Sequence, residues 1–148
     1  MNVQIYDTTL RDGCQGEGIS FSVDATLEVT ARLDELGLHC IEGGWPSSNP
    51  RDAEYFRRVR NLQLRTSKVV AFGLAGRVGI SIQDGPNLQA LLAAETETVT
   101  IVGKTWDLHV ERVLRATRED NLRLIGDAVR FLTSLRARRR QRAADGGG

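Results

Sequence analysis

The sequence predicts an α/β protein made of four successive strand–helix units. Three observations predict it: short β-prone apolar runs recur four times, each is followed by a stretch with apolar residues at helical spacing, and glycine or proline punctuates the junctions. The first unit is Val3, Ile5 and Tyr6 ending at Asp7, then Val23 to Leu36 with Leu27, Ala31, Leu33 and Leu36 at helical intervals and Gly37 as a stop. The second is His39 to Gly44 followed by Asn49 to Leu64, where Ser48 or Asn49 suits the N-cap and Pro50 the first turn. The third is Lys68 to Gly73, a glycine-punctuated connection through Gly76, Gly79 and Gly85, and a shorter helix from Pro86 to Ala94. Thr98 to Gly103 gives a fourth strand, and Glu119 to Leu135 places Leu122, Ile125, Val129 and Leu132 on one helical face.

Repeated alternation of this kind implies a parallel sheet, leaving a closed (β/α)8 barrel or an open doubly wound sheet as the architectures to weigh. A barrel normally needs about 250 residues. The chain has 148, so pattern and length alone favour the open sheet.

Composition narrows the functional classes. A hydrophobic fraction of 41% supports a buried core, so disorder is not the default. The formal net charge of +1 conceals five arginines between residues 136 and 142, which leaves the body at about −4. A nucleic-acid interface on that run lacks interleaved aromatics, so we expect residues 136–148, ending in three glycines, to be a disordered solvated tail beside a domain spanning 1–135. Cys14 and Cys40 show neither CxxC nor zinc-ligand spacing, which points to a reducing, cytoplasmic setting. No apolar run approaches the roughly 18 residues of a membrane span, and no signal-peptide pattern opens the chain.

In parallel α/β folds, chemistry gathers in the loops beyond the C-terminal strand ends. Those loops hold Arg11, Asp12, Gln15 and Glu17 after the first strand, Glu42, Trp45 and Asn49 after the second, and Lys104, Trp106, Asp107 and His109 after the fourth. An arginine beside an aspartate offers a guanidinium for a carboxylate or oxyanion and a hard oxygen ligand for Mg²⁺ or Mn²⁺. A local salt bridge is the competing reading. Glu42, ending an apolar strand, needs a partner and suits either support of such a site or a purely structural pairing with Arg11. His39, His109, Cys14, Trp45 and Trp106 are read first as packing or surface residues, because none has a ligand or base at motif spacing.

The octapeptide Tyr6-Asp7-Thr8-Thr9-Leu10-Arg11-Asp12-Gly13 resembles the opening signature of the 2-isopropylmalate, homocitrate and citramalate synthase superfamily, the DRE-TIM metallolyases with a pyruvate carboxyltransferase-type domain. Gln15-Gly16-Glu17-Gly18, Ile41-Glu42-Gly43-Gly44-Trp45-Pro46 and Gly103-Lys104-Thr105-Trp106-Asp107-Leu108-His109 are most similar to the citramalate synthase branch. The likeness runs from Val3 to Leu135 and replaces the open sheet by the N-terminal half of a TIM barrel.

What the resemblance implies is an acyltransferase of branched-chain amino-acid (isoleucine) biosynthesis, condensing acetyl-CoA with a 2-oxo acid such as pyruvate with help from a divalent metal, Mn or Mg. Asp12 would be a metal ligand, Arg11 the catalytic substrate-holding cation, and Gln15 and Glu42 would line or support the site. The family's His-x-His ligand pair has no counterpart here, because His39 and His109 are 70 positions apart. Leu74-Ala75-Gly76 also stands where small polar and basic residues are expected. The resemblance therefore implies an incomplete site with weak or no activity alone and open barrel edges prone to self-association. The alternative is a non-catalytic half-barrel or binding module.

Overall fold

The computed structural model describes the backbone of residues 3–145 and the side chains of residues 3–135. Four strands form one sheet: β1 (Tyr6–Asp7), β2 (Cys40–Gly44), β3 (Lys68–Leu74) and β4 (Thr98–Val102). Their order is β1-β2-β3-β4, and the strands run parallel, with Tyr6 opposite Cys40 and Ile41 opposite Val69. A doubly wound sheet reverses its strand order at a switch point, whereas here each strand is laid beside its predecessor in one direction. This is the winding of half a (β/α)8 barrel, in agreement with the expected four βα units.

One side-chain contact shows that the sheet curls. The hydroxyls of Tyr6 on β1 and Thr100 on β4 lie 2.7 Å apart. In a flat sheet these strands would be separated by three steps of about 4.8 Å with side chains standing perpendicular. The phenol can reach Thr100 only because the sheet is concave on that face.

The chain divides into two compact units, residues 1–73 with 89–101 and residues 74–88 with 102–148. The first holds α1 (Val23–Glu35), α2 (Pro50–Val59) and nearly all of the sheet. Helix α1 starts where the Ser22 hydroxyl accepts from the Ala25 amide, and it stops at Gly37, whose φ of +79° only glycine adopts without cost. Helix α2 starts with Asn49 capping the Asp52 amide at 2.9 Å and Pro50 at its first position, as the sequence implied. It ends at Val59, short of the expected Leu64, where Arg60 turns its guanidinium onto the Ala93 carbonyl and Glu95. Leu10, Ile41, Tyr55, Phe56, Val59, Ala71, Leu91 and Ala94 form the core. Gly43 is required there: a Cβ at that position would run into the ring of Tyr55.

The buried face of α1 is broader than the expected stripe: Leu27 and Leu33 pack against the core as expected. Leu36 is exposed, while Thr26, Thr30 and Asp34 are buried. Thr30 bonds to the Thr26 carbonyl and the Tyr55 hydroxyl, and Asp34 accepts the amides of Arg65, Thr66 and Ser67 at 2.7–2.9 Å. Those three amides hold the Asp34 carboxyl down at about 2.

The second unit contains α4 (Asp107–His109), a π-helical turn (Val110–Leu114) and α5 (Arg118–Asp145), while α3 (Pro86–Ala93) straddles the division. Asp107 and His109, expected in a loop, lie in the short α4. Helix α5 buries Asn121, Leu124 and Ala128, whereas Leu122 and Val129, two of the four apolar residues expected to face inward, are exposed. Ile125, a third of those four, does pack inward, since it fills the space of the missing Cβ of Gly103. Backbone helix continues beyond the boundary expected at Leu135 as far as Asp145. The expected disordered tail falls on residues whose side chains, and from 146 their backbone, lie outside the described residues.

Candidate active site

The loop after β1 is a tight turn in which the amides of Arg11, Asp12 and Gly13 all point at the Thr8 carbonyl. Asp7 braces its start, accepting the Thr9 amide and hydroxyl at 3.0 Å each. The turn leaves Arg11 and Asp12 at the C-terminal end of β1, beside the end of β2 that carries Glu42.

Arg11 and Glu42 form the centre. The Nε of Arg11 donates to Glu42 Oε1 at 2.5 Å, with the glutamate 2% exposed and the arginine 21%. A carboxylate buried to that degree is tolerable only when its oxygens are satisfied, and Tyr6 donates to the other oxygen at 2.5 Å. The Arg11 guanidinium lies 4.2 Å from the centroid of the Phe72 ring, and Phe72 is itself held edge-on by Trp45 at 5.9 Å. Its Nη1 donates to Asp12 Oδ1 at 2.9 Å. Glu42 is thus the anchor of Arg11, and Trp45 acts through packing.

Asp12 stands at the rim with its side chain 60% exposed. It offers one carboxylate to solvent. Among the described residues no group of three or more His, Cys, Asp or Glu side chains is arranged to hold a metal ion, so these residues fit one position of a Mg²⁺ or Mn²⁺ shell and not a whole shell. Gln15 is exposed, and among the described residues no hydrogen bond joins its side chain to Arg11, Asp12 or Glu42.

The remaining candidates have structural employment. His39 Nδ1 accepts the Ile5 amide at 3.1 Å, pinning the start of β1 to β2. The Cys14 thiol donates to the Thr9 carbonyl, and burial pushes its pKa up, opposite to an activated nucleophile. In the second unit, Asp107 pairs with Arg118 at 2.5 Å, the rings of Trp106 and His109 lie 4.7 Å apart, and the Lys104 carbonyl accepts from Asn121 at 2.8 Å. The sequence reading missed Tyr6, Phe72 and Thr100 as neighbours of the site. Phe72 and Thr100 carried only a strand position as a signal, whereas Tyr6 also opens the octapeptide.

The model of the HMGL-like family matches residues 2–145. The chain belongs to the HMGL-like family. Among curated relatives, the (R)-citramalate synthase of Aquifex aeolicus is 45% identical over 130 residues, covering 88% of this chain and 25% of that protein. The (R)-citramalate synthase of Geobacter sulfurreducens is 46% identical with the same coverage. The homocitrate synthase of Saccharolobus solfataricus is 32% identical over 151 residues, covering 31% of its length. This HMGL-like chain thus spans about a quarter to a third of these relatives. A crystal structure of hydroxymethylglutaryl-CoA lyase from Pseudomonas aeruginosa superposes with a TM-score of 0.64 at 20% identity, over 90% of this chain and 43% of that one, which supports the fold.

Proposed function

We propose that this chain supplies the first four βα units of a citramalate synthase-type acyltransferase, which condenses acetyl-CoA with a 2-oxo acid, pyruvate being the simplest, in isoleucine biosynthesis. The observation that carries the reading is Arg11, anchored by buried Glu42 and laid on Phe72 at the C-terminal strand ends. In such a condensation the acetyl methyl gives a proton to a general base and attacks the ketone carbon, negative charge grows on the ketone oxygen, which is then protonated, and hydrolysis of the thioester releases the thiol. A guanidinium already oriented by its surroundings stabilises that charge without reorganising. With Nε given to Glu42 and one Nη1 proton to Asp12, three N–H groups of Arg11 are left for the 2-oxo acid.

Asp12 would contribute one oxygen to a divalent metal, whose chemistry is Lewis-acid polarisation of the ketone. Its other ligands would come from outside these residues. The sheet ends at β1 and β4 among the described residues, and Val3 and Ile5 expose apolar surface at the β1 edge, which supports association with further βα units or a second copy. Among the described residues no helix is long and apolar enough to cross a membrane. We place the protein in the cytoplasm on its unpaired cysteines.

The test is thiol release from acetyl-CoA with pyruvate and Mn²⁺, assayed for this chain alone and with a chain carrying the remaining βα units of a citramalate synthase. We expect negligible turnover alone and Arg11-dependent turnover on mixing. Robust turnover by the lone monomer would refute the incompleteness of the site. A second reading, a non-catalytic binding module, is favoured by the lack of a metal cluster among the described residues. It predicts pyruvate binding without turnover in either assay.

A further inference from the structure

We infer that Tyr6 is a positioning residue: its hydroxyl, fixed by Thr100, sets the Glu42 carboxylate and through it the plane of the Arg11 guanidinium. The inference rests on the reading of Arg11 as the substrate-holding cation, and adds what aims it.

The direction of each proton follows from the inventory of donors. Ionised Glu42 only accepts, so the short contacts at its two oxygens come from Arg11 Nε–H and Tyr6 O–H. The phenol has a single proton and has spent it. The 2.7 Å contact with Thr100 is therefore a bond from the threonine hydroxyl to the phenol oxygen. The chain reads Thr100 to Tyr6 to Glu42, met from the other side by Arg11. Burial and the neighbouring glutamate raise the Tyr6 pKa, so the phenol keeps its proton and stays a donor.

Geometry makes the chain consequential. Arg11 holds Glu42 through Nε alone, and a single N–H···O bond leaves a guanidinium free to rock about it. A carboxylate with an unoccupied second oxygen could rotate to follow. Tyr6 prevents this by tying the second oxygen to a strand on the far side of the concave face. Phe72 closes one face of the guanidinium and Asp12 takes one Nη1 proton. The Nη2 edge is then held in one direction, as a planar oxyanion or carboxylate partner requires. None of these contacts involves the thiol, the histidines or the second unit.

The experiment is ¹⁵N NMR of the Arg11 Nε–H in the full chain, with Tyr6→Phe, Thr100→Val and Thr100→Ser variants. In the parent chain we expect a slowly exchanging Nε–H. Tyr6→Phe should speed its exchange about tenfold, Thr100→Val less, and Thr100→Ser should restore parent behaviour, with the amides of Ile41 and Val70 unchanged throughout. A purely structural tyrosine would loosen core amides and Nε–H together, which overturns the inference. So would unchanged Nε–H exchange in Tyr6→Phe. If Tyr6→Phe fails to fold, the Thr100 pair decides the question through the same signal. Adding pyruvate and Mn²⁺ to the mixture with a chain carrying the remaining βα units separates the two ideas: an Arg11 signal blind to pyruvate there but sensitive to Tyr6→Phe defeats the condensation reading and leaves the positioning role standing.

Discussion

Arg11 gives its Nε proton to Glu42 across 2.5 Å, and the glutamate has almost no access to water. Both groups at the Glu42 oxygens are donors. Truncation by Glu42→Ala removes the buried partner of Arg11, leaving only the exposed Asp12, and opens a gap beside Tyr6, and should cost about 3 kcal/mol. Glu42→Gln should be milder, about 1 kcal/mol, because Tyr6 can reverse, accepting from the new amide and donating to Thr100. Urea unfolding measures both. Equal losses would show that the donor arrangement has no part in stability.

Asp34 sets an acid limit on the first unit. Its carboxyl, ordinarily near 3.8, is held at about 2 by the amides of Arg65, Ser67 and Thr66. A folded pKa below the unfolded one means the stabilisation is full above about pH 4 and is lost as the pH falls toward about 2. Asp34→Asn should cost about 2 kcal/mol at pH 7 and flatten the pH dependence of stability between those limits. Urea midpoints at stepped pH values check this. A mutant curve parallel to the parent would dismiss Asp34 as the cause.

Thr30 and Tyr55 should behave as a coupled pair. The Thr30 proton goes to the Thr26 carbonyl at 2.8 Å, so Tyr55 is the donor in their 2.9 Å contact, and burial pushes the Tyr55 phenol up to about 12. Thr30→Val strands a buried hydroxyl and should cost about 2 kcal/mol, whereas Tyr55→Phe should cost about 1 kcal/mol or less. The double variant should be no worse than Thr30→Val alone. A double-mutant cycle reads the coupling directly, and strict additivity would contradict it.

How far the sequence could be read depended on the range of the forces involved. Helix starts were legible because caps are local: Asn49 and Pro50 stand within one turn of the amides they serve. Inward faces were less so. Leu122 and Val129 stand at helical spacing, and so do Leu124 and Ala128, so spacing cannot choose between two adjacent stripes. A tertiary contact on the buried stripe, Asn121 to the Lys104 carbonyl, lies outside any spacing rule. On α1, Thr30 and Asp34 are buried as well as the apolar stripe because distant groups, the Tyr55 hydroxyl and the loop at 65–67, satisfy them.

The sequence alone determined four strand–helix units and, through Arg11, Asp12 and Glu42 at strand ends, where to look for chemistry. Period and capping are properties of neighbours along the chain. Tertiary structure decided the barrel-like curl, the anchoring of Arg11 by Glu42 and the part taken by Tyr6, Phe72 and Thr100. Those residues are far apart in sequence, and only the concave stacking of successive parallel strands brings their side chains within bonding distance.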